Sequence, residues 1–465
     1  MFTFKLRSKK SLGVNASTFV LSLILGLSVC TDALSQVNKE GLIDDFLQLT
    51  KGGNRKTQKA LQRIEAAWEP GFAMMLVEVM TLARDRIVLV HLVETLEKQT
   101  GKKFGFHIQR WRKWIWNQPE NSYAYYARFK SKLYRSLDKK FEKYFAENPA
   151  RSIRLDEVVW GGVKQDGIPP LRNPKMIHAD KADYLGDDNV VFAIEINGDA
   201  RAYPKRILAW HEMFVDEVGG QSIAGVYCTL CGSMVLYKTV VNGENHEMGT
   251  SGFLFRSNKL MYDKKTQSLW NTLWGKPVVG PLVGKNIEFE RLSVITTTWK
   301  EWKRRHPETR VLSLDTGHRR DYGEGVAYKD YFATDDLMFA VPKRDRRLKN
   351  KSEVLGLVFA DSPDLPLAIS ADYLAEHPVY QGRLGKTHFV VFTDATGANR
   401  VYDSQSIRFR SWDQDQTAID ENGDMWRLSE SRLLTADGRE LYRLPAHRAF
   451  WFGWFSAYSH TALVH

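Results

Sequence analysis

Cysteine is nearly absent: the 465 residues carry three, Cys30, Cys228 and Cys231. That scarcity excludes a disulfide-stapled scaffold, which spreads paired cysteines through a short chain. The sequence also lacks a complete Gly-x-x-x-x-Gly-Lys-Ser/Thr phosphate loop, a Gly-x-Ser-x-Gly elbow and a His-Glu-x-x-His helix. No nucleotide cofactor is expected, and no familiar hydrolase machinery stands out. The apolar stretch Val20–Val29 is half the length of a membrane span. What remains is a chain too long for one core, so two or three domains are expected.

The first 35 residues have the form of an export signal. Lys5, Arg7, Lys9 and Lys10 precede the apolar Val20–Val29, and Ala33-Leu34-Ser35 offers small residues at a cleavage site. A periplasmic or secreted protein is expected, cleaved near Ser35. A lipid on Cys30 and an uncleaved N-terminal membrane anchor are the rival readings. Cleavage takes four basic residues and Asp32 from a net charge of +11, and leaves only Cys228 and Cys231 in the mature chain. A disulfide between them would close a tiny loop and stabilise little by chain entropy. The pair therefore points to metal or redox chemistry.

Residues 37–148 predict an all-helical domain, HEAT-like in its succession of short helices. Apolar residues recur at helical spacing through Leu42, Phe46 and Leu47 and through Ala60, Leu61, Ile64 and Ala67. Within it, segment 102–145 interleaves Lys and Arg with Trp111, Trp114, Trp116, Tyr123, Tyr125, Tyr126 and Phe129. Two readings apply: a packed helical pair with a solvated basic face, or a surface for an anionic glycan, a membrane surface or another exported protein. No nucleic-acid-binding module is recognisable.

From residue 150 to 465 the texture becomes short alternating runs broken by Asn-Gly turns, which predicts a β-rich domain, sandwich- or barrel-like, and an α+β chain overall. This domain reads as two similar repeats, about 185–315 and about 350–465. The stretch from Gly219 to Tyr237 aligns without a gap on Leu384 to Tyr402, matching Gly232 with Gly397. Trp299-x-x-Trp302 with Thr309 recurs as Trp451-x-x-Trp454 with Thr461. In that alignment Cys228 falls on Thr393 and Cys231 on Thr396, so the turn is built once with sulfur and once without.

Cys228-x-x-Cys231-Gly232 sits between two strand patterns, unlike the helix start that lowers a thiol pKa in thioredoxin-type motifs. It suits a metal knuckle, where Gly tolerates a left-handed turn. Two thiolates leave a closed tetrahedral zinc site two ligands short. His211 is the first candidate to complete the site, followed by His246, Met234, Met248 and Glu212. Metal binding by copper or zinc is the leading expectation, with a thiol–disulfide oxidoreductase and a non-catalytic glycan- or protein-binding module as the alternatives.

The segments Val191–Glu212, Val226–Ser233, Ser251–Trp270, Trp299–Gly323 and Ala449–Thr461 resemble the domain of unknown function 3179 family, whose members carry a Cys-x-x-Cys-Gly-Ser motif. The resemblance covers about residues 155–465 and excludes the helical segment. It implies export and a Trp-His-Glu feature matching Trp210-His211-Glu212, and no particular reaction. The family usually has Pro after the first cysteine, where this chain has Thr229.

Overall fold

A computed structural model describes residues 40–120, 123–146 and 148–465. The expected leader, 1–35, lies outside them. The chain is α+β, with helices at its N-terminal end and small sheets after them. Among the described residues no helix is long and apolar enough to cross a membrane. The chain divides into two compact units between Phe106 and His107.

The first unit is helical over 40–48, Arg55–Ala66, Phe72–Leu82 and Arg86–Thr100. Its boundaries follow local chemistry. Asn54 Oδ1 accepts from the backbone N–H of Lys56 and Thr57, Asp85 caps Ile87 and Val88 in the same way, and Gly101 closes the last helix with φ 69°. Ile43, Phe46, Leu76, Leu92 and Leu96 are fully buried between these helices.

The second unit starts earlier than the texture change at 150. Helices Ile108–Trp116 and Tyr126–Arg135 pack into the β-rich unit rather than extending the helical one. The physical reason is Phe253 in the strand Met248–Phe255, whose ring meets Phe141, Tyr134 and Phe145 at 4.8, 5.1 and 5.2 Å. Lys130, also buried, donates to Val158 O at 2.6 Å beneath three aromatic rings. Trp111, Trp116, Tyr123, Tyr126 and Phe129 are buried too. An amphipathic helix carries the same apolar stripe whichever partner covers it, so sequence alone could not place this boundary. Trp114 and Tyr125 are half-buried.

Two four-strand arrangements in the β-rich unit share one topology. Ile295–Thr298, Val190–Ile196 and Asp199–Pro204 pair antiparallel in that order, and Arg310–Leu312 adds in parallel. His447–Phe450, Glu353–Leu357, Leu367–Ser370 and Ala462–Val464 repeat the order and the directions. Between first strand and last, each has a short helix, Trp299–Arg305 or Trp451–Ala457. Trp302 Nε1 donates to Thr309 Oγ1 at 2.8 Å and Trp454 Nε1 to Thr461 Oγ1 at 2.9 Å. Both threonines then donate to a backbone carbonyl at 3.1 Å, Ala200 or Pro366.

Each arrangement is accompanied by an antiparallel meander. Met213–Val218, Gln221–Cys228 and Ser233–Lys238 form one; Val379–Leu384, Thr387–Thr393 and Asn399–Asp403 form the other. Their turns cross over. The first turn offers Cys231 O to the N–H of Phe450 at 2.7 Å, while in the second Thr396 Oγ1 lies 3.2 Å from Thr297 Oγ1. The cysteine turn thus sits against the strand His447–Phe450 of the second four-strand arrangement.

Candidate functional site

The cysteines occupy a tight β-turn. Cys228 ends one strand, Cys231 N–H donates to Cys228 O at 3.1 Å, and Gly232 turns the chain at φ 58°. A side chain at Gly232 would run into the Phe450 ring, and Gly453 lies so close to Cys231 that a Cβ there would stand 2.9 Å from the cysteine Cβ. The hairpin turn between Phe255 and Asn258, with Arg256 and Ser257 both left-handed, presents Ser257 O to Cys231 Sγ at 3.4 Å. Tyr331 OH donates to Leu230 O at 2.7 Å and fixes the turn from the other side.

Both thiols are free and buried, but their surroundings differ. Burial opposes ionisation of Cys228, yet a hydrogen bond from Cys231 and the backbone N–H groups of Lys259 and Cys231 outweigh it and lower its pKa. Burial first, and then the Cys228 charge, push the Cys231 thiol well up. One proton shared between two close sulfurs stabilises a single thiolate, and the backbone donors place it on Cys228.

Beside the turn lies a buried ion pair. Glu212 Oε2 is 2.7 Å from Lys259 Nζ, while its Oε1 accepts from Thr229 Oγ1 at 2.6 Å and Tyr328 OH at 3.2 Å. Glu212 caps the helix Lys205–His211 in a left-handed conformation, φ 55°, uncommon for a residue with a Cβ. Thr229, between the two cysteines, gives this carboxylate a hydroxyl hydrogen bond. Glu212, Lys259, Tyr328 and Leu230 line a cavity of about 60 Å³, room for a few waters or a small group.

His211 does not join the cysteines. Its Nδ1 lies 2.8 Å from Pro169 O and its Nε2 2.6 Å from Tyr322 OH. A carbonyl only accepts, so Nδ1 carries the proton and Nε2 accepts from the tyrosine. With both nitrogens engaged, the expected third metal ligand is occupied elsewhere. His246 pairs with Asp263 at 2.8 Å under Trp270, and Met234 and Met248 fill two different apolar cores. Among the described residues no group of three or more His, Cys, Asp or Glu is placed to hold a metal ion. Of the sequence candidates only Glu212 stands with the cysteine turn. Lys259 and Tyr328 were not foreseen; Lys259 follows the polar Arg256-Ser257-Asn258, but nothing local marks it as Glu212's partner.

Two buried histidines give the fold an acid limit. Burial lowers His211 to about 4, and burial and Arg291 lower His447 to about 3. Both folded values lie below the ordinary ~6.5, so their contribution is complete above that value and is lost as pH falls toward 4. Chemical denaturation is expected to show stability dropping by up to ~2.7 kcal/mol per pH unit below pH ~6. A flat profile between about pH 6.5 and 4.5 would contradict the neutral, buried assignment.

The sequence model of a family described as a protein of unknown function, DUF3179, matches residues 165–461, more than half of the chain. No curated protein and no solved structure matches the chain at a significant level. The matched span holds both cysteines, Glu212, Lys259 and Tyr328, and the chain belongs to the DUF3179 family.

Proposed function

We propose that Cys228 and Cys231 form a redox-active dithiol that carries out thiol–disulfide exchange in an exported protein. The observation that carries this reading is the unequal pair: two free, buried thiols on one turn, the Cys228 pKa lowered by hydrogen bonding and the Cys231 pKa raised by burial and by Cys228. Cys228 attacks one sulfur of a substrate disulfide, forming a mixed disulfide and releasing a thiolate that takes up a proton. Cys231 gives up its proton and attacks the Cys228 sulfur, releasing the second thiol. The substrate gains two electrons and the protein is left with a Cys228–Cys231 disulfide; the reverse sequence oxidises a dithiol. With a glutathione-reducing system present, the mature protein is expected to turn over a fluorescent glutathione disulfide, and the Cys228→Ser, Cys231→Ser double variant to lose that turnover. Equal rates in the two proteins would refute the reading.

Copper(I) bound by the two sulfurs alone is the second reading. It is favoured over zinc because two soft thiolates suffice for copper(I), whereas zinc needs four ligands. Metal analysis of the purified protein separates it from the first: one copper per chain, lost in the double variant, would support it.

We also infer that the β-rich unit arose by duplication. The shared strand order, the two Trp-to-Thr hydrogen bonds and the reciprocal turn contacts support it. Duplication explains why the chemistry is single: the second turn is held by Asp394, which accepts from Thr396 Oγ1 at 2.7 Å and pairs with Arg400 at 2.9 Å. Carboxylate and guanidinium there replace sulfur with a rigid polar lock.

A further inference from the structure

Away from the cysteines, a cleft of about 680 Å³ opens between the two halves of the β-rich unit, within the range of small-molecule sites. Trp274 and Phe289 form its wall from one half; Phe359, Pro363, Pro445 and Tyr458 form it from the other. Arg291 lies among them. Its Nη2 donates to Leu273 O at 3.0 Å, Trp274 O at 3.1 Å and Tyr458 OH at 3.3 Å, all neutral acceptors. Its Nε is buried with no hydrogen-bond partner, and so is Nε2 of His447, close enough to feel the Arg291 charge.

We propose that this cleft binds an organic carboxylate with an apolar, ring-sized body, and that Arg291 is the residue that selects the charge. A half-buried guanidinium whose hydrogen bonds all go to neutral acceptors has no directly bonded anion to offset its desolvation. A carboxylate is the ligand its planar donor edge fits. The carboxylates already present do not fill this role. Glu288 pairs with Lys276 at 2.9 Å and Glu290 with Lys238 at 3.6 Å, all partly exposed at the rim. Glu288 acts on Arg291 through its charge from the rim, but each rim carboxylate is paired with its own lysine, and among the described residues Arg291 has no carboxylate of its own within hydrogen-bond distance. The aromatic and proline walls accept an apolar body but offer few polar groups to recognise a sugar or a peptide backbone.

Isothermal titration of the mature protein with 3-phenylpropionate, indole-3-acetate and octanoate, each against its neutral amide, tests the proposal. At least one acid is expected to bind saturably and about tenfold or more tighter than its amide. Arg291→Met is expected to remove that preference. Val358 also lines the cleft, and Val358→Trp, which fills it and leaves the guanidinium, is expected to remove binding altogether. Acid and amide binding alike, unchanged acid binding in Arg291→Met, or no saturation by any acid to about 10 mM would each overturn the site. The comparison of acid with amide uses the parent protein and holds even if a variant fails to fold. Disulfide turnover in Arg291→Met should be unchanged, which separates this site from the dithiol.

Discussion

In a Cys231→Ser protein, Cys228 is expected to stay joined to its disulfide substrate as a stable mixed disulfide, whereas Cys228→Ser should form none. The asymmetry follows from the positions of the sulfurs. Cys228 receives hydrogen bonds from two backbone N–H groups, and Cys231 is held as a thiol by burial and by its neighbour's charge. Attack requires a thiolate, so replacing Cys228 should slow the first step by at least about a hundredfold. Replacing Cys231 spares that step and removes only the resolving thiol. Mass spectrometry after mixing with glutathione disulfide reads the result directly, as an added glutathione on one variant and not on the other. Equal adducts on both would mean that neither sulfur is preferred.

The Glu212–Lys259 pair should produce the largest change in stability. Both side chains are buried, and Lys259→Met leaves a carboxylate with two hydroxyl partners and no cation. Removing one member of such a pair costs about 3–5 kcal/mol, and Lys259→Met with Glu212→Gln should recover much of that loss. The two single variants should also move the thiol in opposite directions. Glu212 raises the Cys228 pKa through its charge. Without Lys259 that charge is uncompensated and the thiol should ionise at higher pH. Glu212→Gln should let it ionise at lower pH. Urea unfolding reads the stability and the pH dependence of iodoacetamide alkylation reads the thiol. A Lys259→Met protein as stable as its parent would place the ion pair outside the core, contrary to its geometry.

Much of this arrangement was legible in the sequence, and the missed parts share a cause. The cysteine turn between two strands was visible because alternating runs flank Cys228 and Cys231 on both sides. The spacing Trp302 to Thr309, repeated as Trp454 to Thr461, survives in the structure as the same hydrogen bond. His211 was misjudged because it neighbours Glu212 in the chain. The helix ends at that point, and the left-handed backbone at Glu212 sends the two side chains to different partners, Tyr322 and Lys259. Lys259 lies 47 residues beyond Glu212 and Tyr328 lies 116 beyond. Tertiary pairing alone brings them together, and no local spacing encodes it. Segment 107–148 was assigned to the wrong unit for a similar reason, since helical periodicity reports a buried face and not what buries it.

The most direct test is an equilibrium titration of the protein without residues 1–35 across glutathione buffers, quenched with an alkylating agent and weighed intact. A reversible dithiol predicts one two-electron transition between a species with both cysteines alkylated and a species with neither. It should vanish in Cys228→Ser and in Cys231→Ser. Two freely alkylated thiols under every buffer, with no oxidised form appearing, would contradict it.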